Sequence, residues 1–246
     1  MRIDPVAAAG FGAAAEVYER ARPSYPPEAI DWLLERTGIG PGDTIVDLGA
    51  GTGKLTRLLL ASGARVVAVE PIAEMRALIG VEEAIDGTAE DIPLPDGAAA
   101  LVTVAQAFHW FDLDRALPEI HRVLRPGGAL ALVWNMRDLD DPLQRGVEEL
   151  LAPLRGRLGA QREGKWRAPL AASPLFGDPE TAEFRHAQLS TAADVQERVA
   201  STSFVAAMSE HERRPVLDQV RTLVGDQHEP FPFPYVTEVL LIPRTP

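Results

Sequence analysis

A loop of alternating glycines is the first feature of the sequence that could do chemistry. Asp47-Leu48 leads into Gly49-Ala50-Gly51-Thr52-Gly53, between an apolar run over residues 44–48 and a leucine-rich helical pattern over 54–62. Glycines at alternate positions permit a tight strand-to-helix turn and let the backbone approach a ligand closely at a helix N-terminus. The pattern indicates a nucleotide-type ligand. The alternative is a structural turn that binds nothing.

Two common phosphate-binding patterns do not fit this loop. A Walker A loop requires a glycine at position 48 and a serine or threonine at position 55, and both positions hold leucine. A dinucleotide fingerprint counted from Gly49 requires its third glycine at position 54, which is lysine. The spacing present is G-x-G-x-G, with Asp47 two places before the first glycine.

A carboxylate follows the next apolar run. Glu70 comes directly after residues 65–69, and Pro71 then closes the strand and opens the next helix. A carboxylate at the end of this strand can accept hydrogen bonds from both hydroxyls of an adenosine ribose. The alternative is a solvated glutamate, but the glycine loop and Glu70 support each other because one ligand would reach both.

Strands and helices alternate along the segment that carries these residues. Short buried strands joined by helical crossovers predict a mainly parallel sheet covered on both faces. Strands are predicted at 44–48, 65–69, 83–86, 99–105, 129–134, 183–189 and 235–242. Helices are predicted at 26–37, 54–62, 72–79, 112–124, and within 138–164 and 191–224. Residues 231–234 are expected to be a stiff proline connector into the last strand, which completes the sheet while the late helices cap one rim.

Composition excludes several function classes. The 246 residues include no cysteine, which removes disulfides, thiolate nucleophiles and cysteine-ligated metal sites. The 24 basic and 36 acidic residues give a net charge of −12, which disfavours nucleic-acid backbones as partners. No apolar run reaches membrane-spanning length and the N-terminus lacks a signal-peptide pattern, so a cytoplasmic location is the default expectation.

Five segments together resemble the class I S-adenosylmethionine-dependent methyltransferases, in particular the small-molecule branch with ubiquinone-pathway and trans-aconitate-type enzymes. The resemblance covers about residues 11–135, and its motifs are specific as a set. They are Val46-Asp47-Leu48-Gly49-Ala50-Gly51-Thr52-Gly53, Val69-Glu70-Pro71 with Met75, Gly87-Thr88-Ala89-Glu90-Asp91-Ile92-Pro93, Ala105-Gln106-Ala107-Phe108-His109-Trp110, and Arg122-Val123-Leu124-Arg125-Pro126-Gly127-Gly128.

The resemblance implies S-adenosylmethionine as cofactor and a role for each matching residue. Gly49 and Gly51, with Ala50 between them, would pass under the methionine part of the cofactor, and Asp47 would hold its ammonium group directly or through water. Glu70, followed by Pro71, would take the ribose hydroxyls. The remaining cofactor contacts would come from Ala89 and Glu90 beside the adenine, Gln106 facing the sulfonium, and Arg22 pairing with the cofactor carboxylate. The alternative for Arg22 is an exposed arginine with no role in binding.

The acceptor is less constrained by the sequence. Methyl transfer needs a base only when the acceptor carries a proton, as a phenol does, whereas a carboxylate needs none. His109, flanked by aromatic residues beyond the 99–105 strand, is the candidate catalytic residue; the alternative is a packed histidine in a turn. Gln106 is not acidic, so no metal is expected. Two other functions remain open, namely an NAD or nucleotide-sugar enzyme on a related fold, and a non-catalytic S-adenosylmethionine-binding module.

We therefore expect an α/β protein with a Rossmann-like, seven-stranded, mostly parallel sheet, helices on both faces and a helical cap. It would form one methyltransferase domain over residues 1–246. Within it lie an N-terminal lid and first helix (1–40), a cofactor-binding core (41–136), and a helical cap with the last two strands (137–246). The expected partner is a small-molecule substrate, carboxylate, phenol or carbon, for a monomer or homodimer that engages neither nucleic acid nor membrane.

Overall fold

A seven-stranded sheet with helices on both faces organises the chain. The computed structural model describes residues 19–157 and 164–246, so residues 1–18 of the predicted segment 1–40 lie outside the described residues. The sheet order is β3-β2-β1-β4-β5-β7-β6, with β1 to β5 parallel and β7 antiparallel to both neighbours. The strands are β1 (Thr44–Leu48), β2 (Arg65–Val69), β3 (Ala84–Ile85), β4 (Ala99–Ala105), β5 (Leu124–Arg137), β6 (Glu180–Ser190) and β7 (Phe231–Pro243). This confirms the predicted fold class.

The helices of the first half precede or connect the parallel strands. They are α1 (Pro27–Thr37), α2 (Lys54–Leu59), α3 (Ala73–Arg76) and α4 (Leu113–Val123), with short 3-10 turns at Leu60–Ser62 and Phe108–Trp110. Helix α4 shows why the pattern works, because Ala116, Leu117, Ile120 and Val123 are buried at helical spacing against the sheet. Both faces of the central strands are covered by apolar clusters, as a parallel sheet requires.

Within its described residues, the second half adds five helices and the antiparallel strand pair. The helices are α5 (Pro142–Arg157), α6 (Arg167–Ala172), α7 (Ala192–Ala200), α8 (Ser203–Ala206) and α9 (Glu210–Val224). Helices α5, α7, α8 and α9 share an apolar cluster with the first part of β7, and we call this group of four helices the cap. Helix α7 packs against α9 and β6, which places the cap on the β7–β6 side of the sheet.

The last strand completes the sheet as expected and lies between β5 and β6, so the edge is β6. One detail differs from expectation. The predicted connector 231–234 is wrong, because these residues are the first part of β7 and pair with β6, Pro232 with Leu189 and Pro234 with Ala187. Strand β5 pairs with β7 only as far as Tyr235, so the proline segment has a single neighbour, and such an edge-like position tolerates a missing N–H donor.

Candidate active site

A pocket opens where β1, β2, β4 and β5 end, at the carboxyl edge of the parallel strands. Such edges are the usual ligand sites of open α/β sheets. Its walls come from the glycine loop and the start of α2, the residues after β2 and β4, the end of β5, the N-terminal segment and one cap helix. The lining residues are Arg22, Pro23, Tyr25, Gly49, Ala50, Gly51, Thr52, Lys54, Leu55, Glu70, Ile72, Met75, Ala105, Gln106, Ala107, Trp110, Phe111, Asn135 and Arg198. We call it the loop pocket.

The three glycines of the loop differ in what surrounds them. All three have positive φ, at 67° for Gly49, 59° for Gly51 and 84° for Gly53. A Cβ at Gly49 would lie 2.9 Å from the Ala107 Cβ, and one at Gly53 would lie 2.8 Å from the Ile79 Cα. Both of these glycines are therefore required by packing. A Cβ at Gly51 would meet no described atom within 4 Å, so at this position the open pocket itself is the space that a side chain would enter.

Glu70 fixes the loop and faces the pocket. Its Oε2 accepts a hydrogen bond from the Gly51 N–H at 2.8 Å, and its Oε1 accepts one from the Ile72 N–H at 2.9 Å. The side chain is 4% exposed, and burial raises the pKa of this carboxyl above its ordinary value, opposed by the two backbone N–H donors. Glu70 thus presents oxygens with remaining lone pairs beside an open glycine.

Asp47 lies beneath the loop and does not line the pocket. Thr56 Oγ1 donates to its Oδ2 at 2.6 Å, and Thr103 Oγ1 donates to its Oδ1 at 2.9 Å. The residue is 1% exposed, and burial raises its pKa to about 6 although the two threonine hydroxyls oppose the shift. Its charge also contributes to the raised pKa of Glu70, which places the two carboxyls within electrostatic reach.

Gln106 has an unusual backbone at the end of β4. Its φ is +58°, and no other non-glycine residue in the described ranges has a positive φ. The conformation turns the chain into the pocket wall, where the Gln106 Nε2 donates to the Asn135 carbonyl at 3.1 Å. A non-glycine residue held in the left-handed region costs of order 1–3 kcal/mol, and such strain is concentrated at functional sites.

Besides Asp47, three more predicted cofactor contacts lie outside the pocket wall. Pro71 follows Glu70 without lining the pocket, and Ala89 and Glu90 are buried in the segment after β3. The Glu90 carboxylate accepts the Asp112 N–H at 2.9 Å, immediately before α4. The structure therefore brings together Arg22, Gly49, Ala50, Gly51, Glu70 and Gln106, and leaves Asp47, Pro71, Ala89 and Glu90 behind that surface.

His109 lies in a different cleft. It sits in the 3-10 turn Phe108–Trp110, with its ring centroid 4.8 Å from that of Trp110 and 5.5 Å from that of Trp134. The cleft it lines is bordered by Trp166 and the start of α4, whereas Trp110 also lines the loop pocket. Among the described residues, His109 is not one of those that line the loop pocket.

Three residues of the pocket wall were not singled out from the sequence. Asn135 lies near the end of β5 and comes directly after the strand predicted at 129–134, so its position after a predicted strand was a usable signal. Tyr25 lies in the N-terminal segment, and its main chain neighbour Ser24 accepts a hydrogen bond from Asn135 Nδ2 at 3.0 Å. Arg198 comes from the last turn of α7, and nothing local in the sequence marks it.

Within residues 19–157 and 164–246, no group of three His, Asp or Glu side chains could hold a metal ion. None of the helices described has both the length and the apolar content needed to cross a membrane.

The segment that carries most of the loop pocket also matches a known protein family. A family model described as a methyltransferase domain matches residues 46–132, a range that contains the glycine loop, Glu70 and Gln106. An uncharacterised methyltransferase of Mycobacterium tuberculosis is 43% identical over 223 residues, which is 87% of this chain and 85% of that relative.

Two solved structures share the fold. A candidate type II methyltransferase from Anaeromyxobacter dehalogenans has a TM-score of 0.67 at 24% identity, over 91% of this chain and 97% of its own. A geranyl diphosphate methyltransferase in complex with S-adenosylmethionine has a TM-score of 0.50 at 17% identity, over 89% of this chain and 85% of its own.

Proposed function

The chain belongs to the S-adenosylmethionine-dependent methyltransferases, and we propose that it methylates a small molecule held between the loop pocket and the cap. The product of the cofactor would be S-adenosylhomocysteine. The observation that carries the proposal is the pairing of Glu70 with Gly51: a carboxylate with free lone pairs stands beside a glycine whose missing side chain leaves the pocket open.

The pocket residues fit the cofactor's chemistry in our proposal. Glu70 would accept hydrogen bonds from both ribose hydroxyls, and Gly49, Ala50 and Gly51 would lie along the amino-acid part. Asp47 would act on the ammonium group through its charge or through water, because its two oxygens are already held by threonines. Ala89, Glu90 and Pro71 would support the adenine end from behind the wall.

The work left to the protein is alignment of the acceptor and exclusion of water. The bound cofactor supplies a methyl group on a sulfonium, which already carries a strong leaving group, so positioning is the main catalytic need. Trp110, Phe111 and Tyr25 give the pocket apolar walls, and Gln106 with Asn135 forms its polar floor. We propose that Gln106 faces the sulfonium, as the family resemblance implies.

In our proposal His109 is not the general base. Its ring packs against Trp134 and Trp110 in the second cleft and does not line the loop pocket, so we do not expect it to take a proton from an acceptor there. An acceptor that needs no base, such as a carboxylate, is therefore favoured over a phenol. His109 becomes a packing residue in this proposal.

A matched pair of glycine variants tests the cofactor site. Gly51→Ala and Gly127→Ala both place alanine at positive φ, with no described atom within 4 Å of the new Cβ, but only Gly51 lines the pocket. Both variants should lose about 1–2 kcal/mol of folding free energy. Only Gly51→Ala should lose binding of S-adenosylhomocysteine, measured by calorimetry.

Wild-type protein provides the reference. At a hundredfold excess over Kd, a bound nucleoside adds about 2.7 kcal/mol of stability, which is roughly 5–11 °C in melting temperature for a chain of this size. We expect that shift with S-adenosylmethionine and S-adenosylhomocysteine, and none with NAD or ATP. A shift with NAD alone would refute the proposal. Formation of S-adenosylhomocysteine in the presence of a panel of small carboxylic acids separates an enzyme from a non-catalytic binding module.

A further inference from the structure

Arg198 brings an unusual charge to the loop pocket. It lies in the last turn of α7, a cap helix, and its side chain forms part of the pocket wall. The Nε and Nη1 atoms are shielded from solvent, and no described residue accepts a hydrogen bond from either. Buried guanidinium N–H groups without acceptors are costly, because the group has given up water and gained nothing in return.

Other arginines surround it. Arg22 also lines the pocket, and its Nη2 donates to the Ser201 carbonyl at 2.8 Å, three residues beyond Arg198 at the end of α7. Arg137, at the end of β5, has a pKa lowered to about 10 by burial, with the charges of Arg198 and Arg22 contributing in the same direction. Three cations therefore meet at this side of the pocket.

The carboxylates of this region are engaged elsewhere. Glu148 lies 3.4 Å from the Arg137 Nε and 2.8 Å from the Arg155 Nη1, so it is shared between two arginines. Glu197, next to Arg198 in the helix, faces Arg20 at 3.5 Å. In the part of the chain that the structure describes, no carboxylate pairs with Arg198. Within the described residues, Arg198 therefore lacks a counter-charge.

Arg198 lies away from the Glu70 end of the pocket, where we propose that the adenosine binds. Glu70 follows β2, whereas Arg137 ends β5, and β1 and β4 lie between these strands. Neighbouring strands are about 4.8 Å apart, so the two ends of the pocket are roughly 14 Å from each other. The cap helix α7 approaches from the β7–β6 side, beyond β5.

We propose that Arg198 binds an anionic oxygen group of the methyl acceptor, a carboxylate or a phosphate, and so selects acidic acceptors. The planar guanidinium suits both groups, because each offers two oxygens to parallel N–H donors. The inference rests on the proposed function, since it takes the glycine-loop end of the pocket for the cofactor. It assigns to the cap the recognition of the acceptor.

The test measures anion binding with the cofactor site filled. Wild type, Arg198→Gln and Arg214→Gln are each saturated with S-adenosylhomocysteine and titrated at constant ionic strength with succinate, inorganic phosphate and neutral succinamide. Arg214 is an exposed arginine of α9 in the same cap and serves as the matched control. We expect wild type and Arg214→Gln to bind one of the anions but not succinamide, and Arg198→Gln to bind that anion at least tenfold more weakly. Which anion binds decides between carboxylate and phosphate.

The same variants test a competing role on the cofactor. If Arg198 held the cofactor carboxylate, Arg198→Gln would weaken S-adenosylhomocysteine tenfold or more and leave 5′-methylthioadenosine, which lacks that carboxylate, unchanged; this result would overturn the proposal. Equal anion affinity in wild type and Arg198→Gln would overturn it too, as would an absence of anion binding. Failure of wild type to bind S-adenosylhomocysteine at all would instead refute the proposed function.

A stability measurement guards against a misfolded variant. Without ligand, Arg198→Gln should melt no lower than wild type, because it removes a buried cation that lacks an acceptor. Arg198→Lys keeps the charge but not the planar pair of donors, so it should bind the anion with an affinity between those of wild type and Arg198→Gln.

Discussion

Replacing Glu70 by glutamine separates its two tasks. In the structure the carboxylate accepts hydrogen bonds from the Gly51 and Ile72 N–H groups, at 2.8 and 2.9 Å. A glutamine amide has a single acceptor oxygen, so its NH₂ group must face one of these two donors. The variant would disturb the glycine loop and also lose an acceptor for the ribose. A simple loss of affinity therefore cannot distinguish support of the loop from contact with the ligand.

A double-mutant cycle isolates the contact. One arm compares wild type with Glu70→Gln, and the other compares S-adenosylhomocysteine with its 2′-deoxy analogue, which lacks one ribose hydroxyl. A hydrogen bond to a charged group contributes about 1.5–3 kcal/mol, which is roughly 10- to 150-fold in Kd. We expect wild type to discriminate against the deoxy analogue by a factor in this range, and Glu70→Gln to discriminate far less.

Isothermal calorimetry at pH 7.5 measures the four dissociation constants. Glu83→Gln is the control. Glu83 directly precedes β3, the neighbour of β2, and its carboxylate pairs with Arg65 outside the pocket. This variant should discriminate between the two ligands by the same factor as wild type. If Glu70→Gln weakened both ligands by the same factor, the coupling would be zero and the reasoning that places the ribose on Glu70 would be refuted.

Two further predictions concern stability. Gly53→Ala forces a Cβ to 2.8 Å from the Ile79 Cα, so we expect it to lower the free energy of unfolding by about 2–5 kcal/mol in urea titrations, clearly more than Gly127→Ala; equal losses would contradict the packing argument. Asp47 has its pKa raised from 3.8 to about 6, so the folded state holds its proton more tightly and the charged form costs stability as pH rises through that window. Between pH 4 and pH 7, the free energy of unfolding of Asp47→Asn should therefore rise relative to that of wild type by up to about 3 kcal/mol. A difference that does not change with pH would show that the buried charge is not the cause.

The local part of the fold was predictable from the sequence. Strands β1, β2 and β4 are short apolar runs whose burial follows from composition alone, and the turns between them are marked by glycine and proline. The glycine loop and Glu70 share the pocket because both follow neighbouring parallel strands, whose carboxyl ends must meet at one edge. The chemistry here is encoded within about 25 residues of chain.

Two site assignments could not be made from local pattern. His109 follows β4 as expected, but in the tight turn Phe108–Trp110 successive side chains face different directions. Trp110 therefore reaches the loop pocket while His109 turns to Trp134. Arg198 is separated from the loop by more than a hundred residues, and it reaches the pocket only through packing of the cap, which no spacing rule describes.

Three features that cost folding stability lie around one pocket. This observation does not depend on recognising a sequence motif. Asp47 is a buried carboxyl with a raised pKa, Gln106 is held at positive φ, and Arg198 keeps guanidinium N–H groups without acceptors. A sequence shaped for folding alone would relieve each of these with a conservative change, since none is needed to pair strands or fill the core. Departures from local rules are expected where function requires them. Because the three come from β1, β4 and the cap, the constraint that keeps them together acts on the pocket as a whole, with the glycine loop at one end and the cap at the other.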